Sequence, residues 1–383
     1  MTTLIGQKYA AAFPVLQQDS GIEPGTAYVP ADPHRVLWGR LPCRTDTPVV
    51  TVAPGTTVVV DTVSHEGILD DQGSDPVHYF GSHGVHREDV LADAVEVTAH
   101  TRREPGAGPH IVTGPIAVAG AQPGDLLAVR IEALTMRAPY GVVSTRHGRG
   151  VLAGRPGFDG DYGQFCRVHD RDGRWFGALP LDSTGRAGSA VFPLAPFLGI
   201  IGVATDTGTR VGSVPPGPHG GNIDIKLLTA GATLFLPVQV PEALLYIGDP
   251  HFAQGDGEVA LTALEAPLRA TLTVDVISAA DIAGGFGGRI GPFAAAHGML
   301  IPTGIHPDLN TALELCVAHA VDLVAGLFDA DPRQAYLYLS AAADFTISQA
   351  VDQVRGVHGM IRRADFGVGA ETAFARRILE RVR

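Results

Sequence analysis

Cationic side chains are scarce in this chain of 383 residues, where 28 Lys and Arg stand against 40 Asp and Glu for a formal charge of −12. A basic stripe able to neutralise a phosphate backbone is missing, which argues against nucleic acid as a partner. Only 18% of residues are charged and 45% are hydrophobic, the balance of a compact soluble chain with ample surface to bury. Cysteine is sparse too. Cys43, Cys166 and Cys316 have no CxxC spacing, which excludes a zinc ribbon, and an odd number cannot all pair as disulfides. They point to a reducing, cytoplasmic setting. No run reaches the roughly 18 uncharged apolar residues of a membrane-spanning helix, so no membrane partner is expected. The opening MTTLIGQKYAAAFPVL lacks the basic start and apolar core of a signal peptide. The GxSxG elbow and the HExxH motif are absent. The GGFGG run at 284–288 precedes a proline-bearing segment rather than opening a helix, so it makes a poor phosphate loop.

What the chain has in abundance is glycine (48) and proline (28). Without any repeat period, these punctuate many short elements joined by tight turns, as in a mainly β protein. Residues 48–63 hold two β-branched runs split by Pro54-Gly55. Residues 125–134 alternate Leu127, Val129 and Ile131 against Ala128, Arg130 and Glu132, the period of two of a half-buried strand. Segments 232–240, 243–249 and 268–277 read as strands as well. Helices come late. Residues 309–328 carry Leu313, Cys316, Val317, Ala320, Val321 and Val324 at helical spacing, with Thr311 and Glu314 as a capping box. Further helices are expected over 332–343 and 348–353. The expected fold is mainly β (α+β), with sandwich or barrel-like sheets and a few C-terminal helices. Its divisions are an N-terminal arm at 1–47, a β-rich core carrying the site at 48–277, and a C-terminal segment at 278–383 packed on that core. Segments 8–33 and 146–188 read as loop-rich, the first a docking arm and the second a flap over the site.

Ligand chemistry concentrates between 218 and 258. One cluster offers His219, Asn222, Asp224 and Lys226, the next Asp249, His251, Gln254, Asp256 and Glu258. A third follows Asp61 at a strand end, with His65, Glu66, Asp70 and Asp71, and His110 precedes another strand. Each residue has a bland reading: a structural histidine beside glycine for His219, a turn former for a lone Asp, a solvated side chain for Lys226. Density tips the balance, because desolvated like charges repel unless a cation or a shared proton intervenes. Mixed His and Asp ligation suits Zn²⁺ best. His83, His86, His147 and His169 sit in polar, arginine-rich loops and read as surface.

The blocks HGGNIDIK, LFLPVQVP and GDPHFAQGDGE together resemble the acetamidase/formamidase family. SHEGI after Asp61, GPHIVTGPI, AQPGDLL and YLYLSAAADFTISQAVD are similar to that family's blocks in the same order, so the resemblance spans about 61–352. It implies a mainly β, oligomeric hydrolase of short linear amides with a divalent metal. The family's polar positions fall on His219, Asn222, Asp224, Lys226, His251, Gln254, Asp256 and Glu258. The chain departs at Pro250, where relatives have glycine, and in the 146–188 insertion, both placed to reshape the pocket.

On that footing His219, Asp224 and His251 are expected as metal ligands, with Asp61 or His65 completing the shell. Glu258 is the expected general base and acid. Lys226 and Asp256 stand beside it as catalytic groups, Lys226 and Gly221 steadying the oxyanion. Asn222, Gln254, Gly221 and His110 are expected to contact the substrate. The expected partners are a small amide and further copies of the chain. Two rivals stand beside this reading: a metal-free amidase using Cys166 or Cys316 with a Glu/Lys set, and a non-catalytic binding protein on the same fold.

Overall fold

The computed structural model of the protein describes residues 12–146, 148–283, 291–367 and 371–380. His147, the 284–288 glycine run and the first part of the expected arm lie outside those residues.

Two sheets form the frame, one of nine strands and one of eleven. In the first, Thr56–Asp61 pairs with Leu268–Ile277, which pairs with Leu126–Met136, which pairs with Thr233–Pro237, all antiparallel. Phe293–Ala296, Met299–His306 and Arg355–Arg362 continue it, so a boundary at 277/278 crosses one continuous sheet. In the second, Ile111–Val118, Leu245–Ala253 and Phe197–Val203 lie side by side, with Gly220–Asn222 beyond the last. The Pro54-Gly55 break sends Val50–Val52 into this sheet and Thr56–Asp61 into the other.

Strands that are apolar on both faces explain the layering. Along Leu126–Met136, Leu127, Val129 and Ile131 join Val58, Leu234 and Leu272 of their own sheet and Ile201 and Ile247 of the other in one core. Leu126 and Ala128 point the opposite way, onto Ala320, Leu323 and Val324 of the helix Leu309–Phe328. The period of two sorts the residues between these cores. The result is a β-sandwich with helices on the outer face of the nine-stranded sheet.

Asp308 opens the long helix, its Oδ1 accepting from the Thr311 backbone N–H at 2.9 Å. Thr311 therefore lies inside the first turn, and Asp308 takes the capping role expected of it. By length and apolarity alone this helix could cross a membrane. Here it buries Ala312, Cys316, Leu323 and Leu327 against Met299–His306 and Arg355–Arg362. The helix expected over 348–353 is absent. Asp344–Gln349 is a strand paired with Arg355–Arg362, as the aromatic and β-branched run Phe345-Thr346-Ile347 favours. The 146–188 segment is likewise more ordered than expected. Gly163–Arg171 and Arg174–Pro180 form a hairpin whose turn places Asp172 and Gly173 at φ 54° and 75°, the left-handed pair that tight hairpins require.

Candidate active site

The strand Leu245–Ala253 runs straight through the polar GDPHF sequence, and this places the chemistry. His251 Nε2 lies 3.2 Å from Asp249 Oδ2 and 3.1 Å from Glu265 Oε1. Neither contact has the direction of a hydrogen bond, and both ring nitrogens of His251 are buried without a partner. Asp224 comes in from the turn after Gly220–Asn222, its Oδ1 3.9 Å from His251 Nδ1. His65 Nδ1 approaches Asp249 Oδ1 at 3.3 Å, and His110 Nε2 reaches the same oxygen at 3.8 Å. The His110 ring is fixed from behind by Ser213 Oγ, 2.9 Å from Nδ1. Glu258 and Asp352 complete the cluster, which forms four overlapping sets: His65/His110/Asp249, Asp224/Asp249/His251, His251/Glu258/Glu265 and Asp224/Glu258/Asp352.

Gly199, on the neighbouring strand, makes room beneath them. A β-carbon there would stand 2.5 Å from Asp224 Oδ1, 2.6 Å from His251 Cε1 and 2.8 Å from Asp249 Oδ2. The backbone is contorted as well. Asp224, Asp249 and Glu258 adopt φ of 47°, 49° and 45°, a left-handed conformation that costs energy and concentrates at functional positions.

Burial sets the electrostatics. It raises the carboxyls of Asp224 and Glu258 well above the usual range, reinforced by Glu258 and Asp352 around the first and by Asp352 around the second. Burial likewise pushes Asp352 up to about 7. At Asp249 burial acts in the same direction, but the His110 and His251 imidazoles outweigh it and hold the carboxyl well below its ordinary value. Burial works against a charged His251, yet Glu265 and Asp249 raise it well above a normal histidine. Both Asp224 oxygens, both His65 nitrogens, Asp249 Oδ1, Glu265 Oε2 and Asp352 Oδ2 are buried without hydrogen bonds. Buried polar atoms are normally satisfied, and so many orphans in one place fit a bound cation. The donors, imidazole and carboxylate over a glycine cradle, suit a divalent ion.

A cavity of about 390 Å³ opens onto this cluster, lined by His65, His110, Asn222, Asp249, Glu258, Glu265 and Asp352 together with Arg103, Arg146 and Arg149. A larger cavity of about 510 Å³, lined by Val143, Phe158, Tyr162 and Leu179, contains none of the cluster's side chains; its size does not make it the site.

The structure sets several expected residues elsewhere. Asp61 is not with the cluster. Its Oδ1 accepts from Arg269 Nε at 2.6 Å and its Oδ2 from Arg269 Nη2 at 2.8 Å and Tyr28 Oη at 2.7 Å, with Arg137 Nη2 at 3.5 Å. A carboxylate so committed is unavailable to an ion. His219 packs its ring on Gly217 and Gly221 outside the ligand sets, and burial lowers it to about 4. Lys226 and Asp256 pair with each other at 2.7 Å, half-exposed, away from the cavity lining. Gln254 spends its amide on the Asp224 and Ser348 carbonyls at 2.9 and 3.2 Å. Gly221 lies in the short strand against Ile201. Glu66 joins the cavity wall through Arg146 and Ser144. Cys166 donates to the Ala178 carbonyl within the sheet, its thiol pushed up to about 11 by burial. Cys316 is on the buried face of the long helix, its thiol raised by burial.

Glu265, Asp352 and Gly199 are additions that the sequence reading did not single out. Glu265 looked like an isolated acid in LTALEAPL, and Asp352 fell in the segment read as helix.

Residues 187–360 match the model of the acetamidase/formamidase family, a span that contains Gly199, Asp224, Asp249, His251, Glu258, Glu265 and Asp352. Over that span the chain is similar to the acetamidase/formamidase family. A Schizosaccharomyces pombe protein with a provisional formamidase name is 33% identical, the match covering 39% of this chain and 47% of that protein. A formamidase of Methylophilus methylotrophus is 55% identical over 47 residues, 12% of each chain. The chain thus spans at most about half the length of these curated relatives. The crystal structure of a predicted acetamidase/formamidase from Thermoanaerobacter tengcongensis superposes with a TM-score of 0.67 at 26% identity, covering 90% of this chain and 99% of that one. His65 and His110 lie outside the matched span, so the cluster is completed from an earlier region of the chain.

Proposed function

We propose that the chain hydrolyses short linear amides of the formamide and acetamide kind, releasing ammonia and a carboxylic acid, with a divalent cation held in the buried cluster. The observation that carries the reading is the convergence of His65, His110, Asp224, Asp249, His251 and Glu265, with Asp224, Asp249 and His251 over Gly199 and at least one unpaired polar atom on each of these residues except His110. Asp224, Asp249 and His251 are the first candidates to hold the ion, with His65 and His110 reaching Asp249 from the other side. A divalent ion in such a set, zinc suiting mixed imidazole and carboxylate donors, supplies Lewis acidity to a carbonyl and acidifies water.

Amide hydrolysis further needs a group to take a proton from water and return it to the departing nitrogen. Glu258 lines the cavity and belongs to two of the four ligand sets, which places it for that exchange. Asn222, also on the wall, has an unpaired Oδ1 suited to accept from the substrate amide N–H. A thiol route is not favoured, because Cys166 and Cys316 are committed to carbonyls inside the fold. The same reading includes a homo-oligomer, supported by exposed Leu309, Leu313, Tyr336 and Leu337 on the helical face; sedimentation checks it.

Ammonia release from formamide and acetamide, measured on zinc-loaded protein, tests the activity. Turnover on neither amide with the ion bound ends the reading.

A further inference from the structure

One buried cation in the cavity wall remains without a role in this scheme. Arg146 is 7% exposed and lines the cavity. Its Nη2 pairs with Glu66 Oε1. Glu66 is itself fixed by Ser144 Oγ at 2.8 Å and by Gln72. That leaves Nη1, which among the described residues is buried with no hydrogen-bond acceptor. The backbone is forced too, since Arg146 sits at φ 35°, outside the comfortable range of a long side chain. An anchored guanidinium with one unpaired nitrogen, on a residue that lines the cavity, is a donor held ready for an acceptor that arrives with the ligand.

We propose that Arg146 Nη1 is the donor to the carbonyl oxygen of the substrate, and so a catalytic residue; this rests on the amide-hydrolysis reading. The water oxygen bonds to the carbonyl carbon and its proton passes to Glu258. The π pair moves onto the carbonyl oxygen, whose growing charge Nη1 meets. On collapse the pair re-forms C=O, the C–N bond breaks, and the nitrogen leaves as ammonia with the proton from Glu258. The carboxylic acid product keeps the same oxygen on Arg146 and becomes a carboxylate once its O–H proton passes to the freed Glu258 carboxylate. Lys226, the sequence-level choice for this task, is taken up by Asp256. The Glu66 pairing fixes the guanidinium before substrate enters, so no reorganisation is needed as charge develops.

The test compares wild type, Arg146→Ala and Arg146→Lys, all zinc-loaded. Arg146→Lys is the folding-safe variant, because it keeps a cation against Glu66 and lacks the second arm. Both variants are expected to lose kcat on acetamide about a hundredfold, the scale of deleting one oxyanion donor, with KM moving less and metal content unchanged. Millimolar guanidinium should restore part of the turnover to Arg146→Ala only. Calorimetric titration with acetate should show binding weakened at least about tenfold in both. Active wild type with variant kcat within about twofold overturns the role of Arg146 and leaves the amidase reading intact. If wild type has no turnover, that reading falls on its own assay, and equal acetate affinity in wild type and Arg146→Lys overturns the Arg146 assignment as well.

Discussion

Gly199 lies directly under Asp224: a β-carbon added to the glycine would come within 2.5 Å of the carboxylate's Oδ1. Gly199 is in the strand Phe197–Val203 and is not among the residues with positive φ, so alanine suits the backbone and the conflict is confined to the cluster. Gly199→Ala is therefore expected to lower zinc stoichiometry and amide turnover at least about tenfold. Overpacking should cost only about 1–3 kcal/mol of stability. Elemental analysis and cooperative unfolding of the same preparation check this; full zinc loading of the variant would show that the space under Asp224 is unimportant.

Asp61 makes the opposite prediction. Its carboxylate answers Arg269 and Arg137 inside the fold, and removing one partner of a buried pair strands the other charge. Asp61→Asn should lose about 3–5 kcal/mol in urea unfolding while the folded fraction keeps its zinc. Zinc loss with undiminished stability would return Asp61 to the ligand set.

Chelation separates the ion from the thiols. Dialysis against a chelator is expected to abolish ammonia release and lower the melting temperature, since the acids of the cluster lose the ligand that stabilises them. Added Zn²⁺ should restore both. Cys166→Ser should leave turnover within about twofold, because its thiol is buried and raised to about 11, out of reach of nucleophilic duty near neutral pH. Activity that survives chelation but not this substitution would reverse the assignment.

Acid sensitivity follows from His358, which is in none of the candidate ligand sets. Its Nδ1 is 2.7 Å from Ser348 Oγ, and burial lowers the ring from 6.5 to about 4. The unfolded chain binds the proton more readily, so His358 contributes stability in full above about 6.5 and loses it as pH falls toward 4. Urea midpoints between pH 7 and 4.5 should fall less steeply for His358→Asn than for wild type. Parallel curves would remove His358 from the account.

Much of the architecture was readable because local rules and tertiary demand agreed. The alternation of Leu127, Val129 and Ile131 matches a strand between two cores, and the long helix opens at Asp308, just ahead of its apolar spacing. The density of acids and imidazoles at 218–258 marks the stretch that supplies Asp224, Asp249, His251 and Glu258 to the buried cluster. Choosing the members of the site, there and around Asp61, was another matter. Asp61 is claimed by Arg269, more than two hundred residues away, and Lys226 by Asp256; neither pairing leaves a local trace. Glu265 and Asp352 are single acids in apolar surroundings, and only the pairing of Glu265 with His251 and the turn after Gln349 deliver them. Gly199 is one glycine among 48, and its meaning lies wholly in what stands above it.

The candidate ion-binding residues run from His65 to Asp352, with the two ends of that range meeting in one cavity. No fragment made by a single cut between those positions has every donor, and a chain still emerging from the ribosome lacks Asp352 until long after His65 is made. Loops this long close slowly. Capture of the ion would therefore mark completion of the fold, and a truncated or misassembled copy would be left both inert and weakened by its own unneutralised acids.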